Sequence, residues 1–148
     1  TIPAILERIK AAEKKAMVHI DLIAGLSAKE ISVEFIARQT RADGIITTKP
    51  ALVRRAKELG VFAVLRFFVI DSLALKNIEN LEMQCGTSRP DFIEVLPGVM
   101  PKVLGRIAKV SRIPMIAGGL ITEKEDVIAA LSAGAIAVSS TNQDVWKL

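Results

Sequence analysis

Two short segments of this chain carry main chain that suits an anion. Gly118 and Gly119 follow the apolar run at residues 114–117, and Ser139, Ser140, Thr141 and Asn142 follow the apolar run at 135–138. Glycines leave their N–H groups unobstructed, and small hydroxyl and amide residues add donors, so the two segments together suit a phosphate. The alternative for the glycines is plain turn formation. Four more polar residues stand inside otherwise apolar runs: His19 and Asp21 at 17–22, Arg66 at 61–69 and Glu94 at 92–98. A charge buried alone is costly, so these groups need a common place to meet. Arg66 either faces a ligand anion or pairs with Glu94 as a structural bridge. Glu94 and Asp21 suit the hydroxyls of a small polyol. His19 either lines the same pocket or is a core histidine, and Lys49, just past an apolar run, either reaches the phosphate or is a solvated lysine.

The same inventory bounds the chemistry. No lysine lies within an apolar run to form a Schiff base, and no cluster of His, Cys and carboxylates has metal-ligand spacing, so neither metal nor cofactor is expected. The enzyme reading that stays open is a phosphosugar isomerase, epimerase or aldolase with Glu94 or Asp21 as general base. The single cysteine, Cys85, has helical spacing with Ala74, Ile78 and Leu81, which makes it a buried helix residue and points to a cytoplasmic setting. Lys and Arg number 20 against 16 Asp and Glu. The resulting charge of +4 and pI near 9.4 are compatible with an anionic ligand or nucleic acid. No apolar run approaches the ~20 residues of a membrane span, and no signal-peptide pattern opens the sequence.

The elements that must position these groups alternate. Residues 3–15 form an amphipathic helix with Ile5, Leu6 and Ile9 inward, and 17–22 a strand. Ser27 and Glu30 make a capping box for a helix to Gln39 with Ile31 and Phe35 inward. Residues 44–48 are a strand, Pro50 opens a helix that stops at Gly60, and 61–69 is a long strand. Asp71 or Ser72 caps a helix to about Cys85. Residues 92–98 are a strand, and Pro101 opens a helix carrying Val103, Leu104 and Ile107. Residues 114–117 are a strand. Thr122 and Glu125 form a second capping box, with Val127, Ile128 and Leu131 as the buried stripe and Gly134 as the stop. Residues 135–138 are the last strand, 142–147 a short extra helix, and Trp146 plugs the wall against that helix. No repeat beyond the strand-helix alternation stands out.

Such alternation fits an open doubly wound sheet or a barrel with parallel strands. Strand alternation places His19 with Asp21, Arg66 with Val64 and Phe68, and Glu94 with Phe92 and Leu96. Polar groups arriving on separate strands favour the upper interior of a (β/α)8 TIM-type barrel, where phosphate is often held after strands seven and eight. Six strands do not close that barrel. The expectation is therefore one domain over residues 1–148 holding strands three to eight, with the first two βα units, on the order of 50 residues, absent from the chain.

Read together, HIDLIAGL, GIITTK, RFFVID, DFIEVLPGVMP, IPMIAGGLI and AVSSTNQDVW, in this order and spacing, resemble the glycerol-3-phosphate-responsive antiterminator family. DFIEVLPG and AGGLI are the most specific pieces. The resemblance covers essentially the whole chain and implies a barrel that binds glycerol 3-phosphate and acts on leader mRNA of glycerol uptake genes to prevent premature transcription termination, without catalysis. For the RNA, the candidates are Arg54, Arg55 and Lys57 on one helix and Lys10, Lys14 and Lys15 on another; the alternative is a solvated basic face.

Overall fold

The computed structural model describes residues 1–81, 83 and 86–148, and for Thr87 the main chain alone. Cys85 lies outside the described residues. The chain is built of parallel βα units, and the six strands among the described residues follow one another in chain order within the sheet. It divides into two compact units, Thr1–Leu65 with Ser88–Asp91, and Arg66–Thr87 with Phe92–Leu148.

In the first unit, helix α1 (Ile2–Ala11) leads to β1 (Met17–His19), α2 (Glu30–Gln39) to β2 (Gly44–Thr47), and α3 (Pro50–Glu58) to β3 (Phe62–Phe68), whose last residues belong to the second unit. β1 pairs with β2 and β2 with β3, both parallel. The core is aliphatic: Ile20, Val33, Ile36, Ile45, Val53 and Ala63 are all buried, each large side chain contributing about 1.5–3 kcal/mol. Pro50 opens α3 as expected, and Gly60 follows its end at φ +75.

One device recurs in this unit. The N–H of Asp43 donates to the carbonyl of Ala16 at 2.8 Å, the N–H of Ala16 returns a 2.7 Å bond to the Asp43 carboxylate, and Lys10 Nζ closes the site at 3.0 Å. Asp91 does the same with Ala63 at 2.9 Å in both directions and with Lys57 Nζ at 2.7 Å. Within the two pairs, lysine and aspartate are 33 and 34 residues apart along the chain. This repeat escaped the sequence because it consists of single residues ahead of strands. Each aspartate locks the entry of a strand to its neighbour.

In the second unit, α4 (Ser72–Glu79) precedes β4 (Phe92–Leu96), α5 (Pro101–Val110) precedes β5 (Met115–Gly118), and α6 (Lys124–Ser132) precedes β6 (Ala137–Ser139). β4 pairs with β5 and β5 with β6, again parallel. Ile93, Val95, Leu104, Ile107 and Ala117 form its core. Asp71 caps α4, its carboxylate accepting from the N–H of Ala74 at 2.9 Å.

Several boundaries differ from the sequence reading. α2 begins after Lys29 instead of Ser27, whose carbonyl is taken by the Lys29 N–H and the Ser32 hydroxyl. The inward face turns accordingly: Ser32, Val33 and Ile36 are buried, while Ile31 and Phe35 are exposed. The second capping box is real but sits one residue later, between Glu123 and Asp126. On α6 Ala130 is buried, whereas Ile128 and Leu131 are exposed. Ile5 is likewise exposed and Leu6 buried. The last strand starts at Ala137, which brings Ser139 into the strand itself. The short extra helix reduces to a 3-10 turn at Val145–Lys147, and Trp146 is exposed instead of plugging a wall. No helix among the described residues is long and apolar enough to cross a membrane.

Candidate functional site

The second unit assembles a polar cluster from four strands. Glu94, on β4, is buried at 3% exposure between the core residues Ile93 and Val95. Nε of Arg66, near the end of β3, donates to its Oε2 at 2.6 Å, and the Ser139 hydroxyl, at the end of β6, donates to its Oε1 at 2.6 Å. The charge on Glu94 is thus balanced by a guanidinium and held by a neutral donor, the condition under which a buried carboxylate is tolerable. Gly118 on β5 makes the room. A Cβ there would lie 2.7 Å from Oε1 of Glu94 and would collide with the Ser139 hydroxyl. The bridge that the sequence left open between Arg66 and Glu94 is formed, and Ser139 belongs to it.

The loops that leave β5 and β6 start at the same edge, since these strands are parallel neighbours. They are fastened to each other. The Ser140 hydroxyl donates to the carbonyl of Ile121 at 2.6 Å and accepts from the N–H of Asn142 at 3.0 Å. The Asn142 side chain donates to the carbonyl of Thr122 at 3.2 Å and accepts from the N–H of Asp144 at 3.0 Å. The Trp146 indole N–H donates to the Ser140 carbonyl at 2.8 Å. Side chains of Ser140 and Asn142 therefore hold the loops. Thr141 is exposed beside them.

Gly119 and Leu120 take consecutive left-handed conformations, φ +81 and +62. Glycine adopts this freely, but leucine does so at a cost of about 1–2 kcal/mol. Leu120 is also exposed. The carbonyl of Gly119 accepts from the N–H of Gly98 at 3.1 Å, and a Cβ on Gly98 would come within 2.9 Å of the Gly118 nitrogen. Gly98 thus lets the loop after β4 close onto the glycine loop.

The first unit holds a separate cluster. β1 stops at His19, and Ile20–Leu22 is a 3-10 turn, so strand alternation does not relate His19 to Asp21. Asp21 instead bends to the end of β2. Its carboxylate accepts from the Thr47 hydroxyl at 2.7 Å and from the N–H and hydroxyl of Thr48, both at 2.8 Å. Burial pushes its pKa up, but the Thr48 N–H, the two hydroxyls and the nearby His19 outweigh this and hold it below the ordinary 3.8. Lys49 is exposed, its ammonium donating to the carbonyl of Ala28 at 3.2 Å. The arrangement makes Asp21 a loop anchor.

Of the basic candidates, Arg55 pairs with Glu34 and Glu58, Lys57 with Asp91, and Lys10 and Lys15 with Asp43. Arg54 is exposed on the same helix. No group of three metal-ligating side chains occurs among the described residues. Sequence reasoning missed Gly98, Thr47 and Thr48. Thr47 carried a signal, a hydroxyl at the closing end of an apolar strand; Gly98 carried none beyond following a proline.

The family model for the glycerol-3-phosphate responsive antiterminator matches residues 1–146. The chain is 45% identical to the uncharacterized protein YgcP of Escherichia coli (strain K12) over its whole length, covering 76% of that relative. It is similar to the crystal structure of the glycerol uptake operon antiterminator regulatory protein from Listeria monocytogenes, with TM-score 0.88, 34% identity, 98% of this chain and 77% of that one. A glycerol uptake operon antiterminator-related protein from Thermotoga maritima gives TM-score 0.80 and 37% identity over 97% of this chain and 79% of that one. At 20% identity and TM-score 0.66, orotidine 5'-phosphate decarboxylase from Pyrococcus horikoshii, matched over 90% of this chain and 68% of that one, shows the fold alone, which is TIM-type. By the match over residues 1–146, the chain belongs to the glycerol-3-phosphate responsive antiterminator family.

Proposed function

We propose that this protein is a non-enzymatic sensor that binds glycerol 3-phosphate and, so loaded, acts on leader mRNA of glycerol uptake genes to prevent premature termination in the cytoplasm. The observation that carries this reading is the family match over residues 1–146. The site chemistry supports it. In the proposal, main chain at Gly118, Gly119 and 139–142 takes the phosphate, on loops already fastened through Ser140 and Asn142, and the Arg66–Glu94 pair takes the polyol end. Asp21 serves locally, its carboxylate holding Thr47 and Thr48. The strands are read as part of one (β/α)8 barrel domain, in keeping with their parallel chain order.

RNA contact in this reading falls to Arg54 and to whatever basic groups are not consumed in ion pairs. Ligand and RNA must be coupled reciprocally: if the ligand tightens RNA binding, RNA tightens ligand binding by the same factor, about 5- to 150-fold in typical cases. The test is a titration of labelled leader RNA with and without glycerol 3-phosphate, beside a turnover assay on triose and pentose phosphates. Tighter RNA binding with ligand and no turnover supports the sensor. Equal RNA affinity in both conditions, together with conversion of a sugar phosphate, replaces it with the isomerase, epimerase or aldolase reading.

A further inference from the structure

We propose that the Arg66–Glu94 pair is a hydroxyl-reading subsite that selects a phosphorylated polyol and rejects the corresponding phosphorylated acid. This rests on the reading above, in which the glycine loop holds the phosphate. A Cβ on Gly118 would lie 2.7 Å from the Glu94 carboxylate, so a buried negative charge packs directly against that loop. Such a placement weakens anion binding by repulsion unless the carboxylate is neutralised and its acceptor capacity is used.

Both conditions are met. Arg66 supplies the balancing charge through Nε alone, and its two terminal nitrogens have no partner among the described residues. The Arg66 side chain keeps 18% of its surface exposed while that of Glu94 keeps 4%. Oε2 of Glu94 holds one donor, Arg66, and Oε1 holds one, Ser139. An ionised carboxylate has about four lone-pair sites, so each oxygen can accept one more hydrogen bond. The pair therefore offers donors and acceptors side by side at zero net charge. A hydroxyl satisfies both at once, because it donates and accepts. A carboxylate can only accept, and it brings a second negative charge against Glu94. Ser139 is a positioning residue, fixing the Oε1 lone pairs from β6.

The experiment is calorimetric titration of the wild-type protein with glycerol 3-phosphate, 3-phosphoglycerate and inorganic phosphate, repeated with Glu94→Gln. Glutamine keeps the shape and an acceptor for Arg66 but removes the charge. Wild type should prefer glycerol 3-phosphate over 3-phosphoglycerate, and Glu94→Gln should reduce that ratio about 10- to 100-fold, the worth of one charge-assisted hydrogen bond. Inorganic phosphate affinity should fall little or rise. Ser139→Ala, which keeps both charges, should lower glycerol 3-phosphate affinity by a larger factor than phosphate affinity, and serves if Glu94→Gln does not fold by circular dichroism. If wild type binds glycerol 3-phosphate but the variants weaken it and phosphate by equal factors, the subsite is overturned while the sensor reading stands. If wild type binds no glycerol 3-phosphate, both fall.

Discussion

The Ser139 hydroxyl and the Glu94 carboxylate, 45 positions apart in sequence, meet at 2.6 Å beside Gly118. Since Glu94 also binds Arg66 at 2.6 Å, one buried carboxylate joins β3, β4 and β6 across the glycine that ends β5. Ser139 is followed by Ser140, whose hydroxyl fastens the loop after β6 to Ile121. Any change that moves Glu94 is thus passed by a single peptide unit to the loop proposed to hold phosphate.

Breaking the Arg66–Glu94 pair from one side leaves the other charge unpaired. Arg66→Met or Glu94→Leu alone should cost about 3–5 kcal/mol, with Glu94→Leu at the low end because the arginine left behind keeps some water contact. The double change should cost less than the sum. Urea unfolding of the four proteins checks this; additive losses would show that the pair contributes no coupling.

A methyl group at Gly118 has nowhere to go. Gly118→Ala should displace Glu94 and Ser139, lower stability by about 1–3 kcal/mol as an overpacked site, and reduce glycerol 3-phosphate affinity. Gly25→Ala serves as the comparison, since its Cβ would meet nothing within 4 Å. There only the strain of φ +81 is added, about 1–2 kcal/mol. Unchanged ligand affinity in folded Gly118→Ala would separate this glycine from the site.

Asp43 carries a pH-dependent part of stability. The Ala16 N–H, then the Lys10 ammonium, hold its pKa below the ordinary 3.8, with burial opposing and the charges of Lys10 and Lys15 adding to the effect. Its folded value is below its unfolded one, so its contribution is fully present above the unfolded value and is lost as pH falls through the folded one. The wild type should therefore lose its advantage over Asp43→Asn as pH drops from about 5 to below 3.8. Asp21→Asn should behave alike, as Asp21 is shifted in the same direction. Parallel pH profiles for wild type and variant in urea unfolding would contradict the sign.

Two basic residues on α3 should separate by experiment. Lys57 is committed to Asp91 at 2.7 Å and Arg54 is exposed. Lys57→Gln should lower stability and leave RNA affinity nearly unchanged. Arg54→Gln should leave stability within about 0.5 kcal/mol and, if Arg54 touches a phosphate, reduce the slope of log affinity against log salt by about one. The reverse pattern would move the RNA surface off this helix.

The order of strands and helices, the glycine stops and the proline starts were legible from the chain alone, because periodicity, φ > 0 turns and a missing N–H act locally. So was the need of Arg66 for a partner, since a lone charge in an apolar run is too costly to leave unpaired. The capping boxes were half legible: the Glu123–Asp126 box lies one residue beyond the Thr122–Glu125 match, and only the helix's packing chose between adjacent registers. Which face of α2 turned inward went with the start of that helix after Lys29 instead of Ser27. The meeting of Ser139, Glu94, Arg66 and Gly118 was decided by tertiary structure alone, because strand register fixes which residues of neighbouring strands stand level, and no local preference encodes it. The conversion of Asp21 from a strand residue into an anchor for Thr47 and Thr48 has the same origin. A 3-10 turn after His19 is worth forming only when the end of β2 lies beside it to supply three donors.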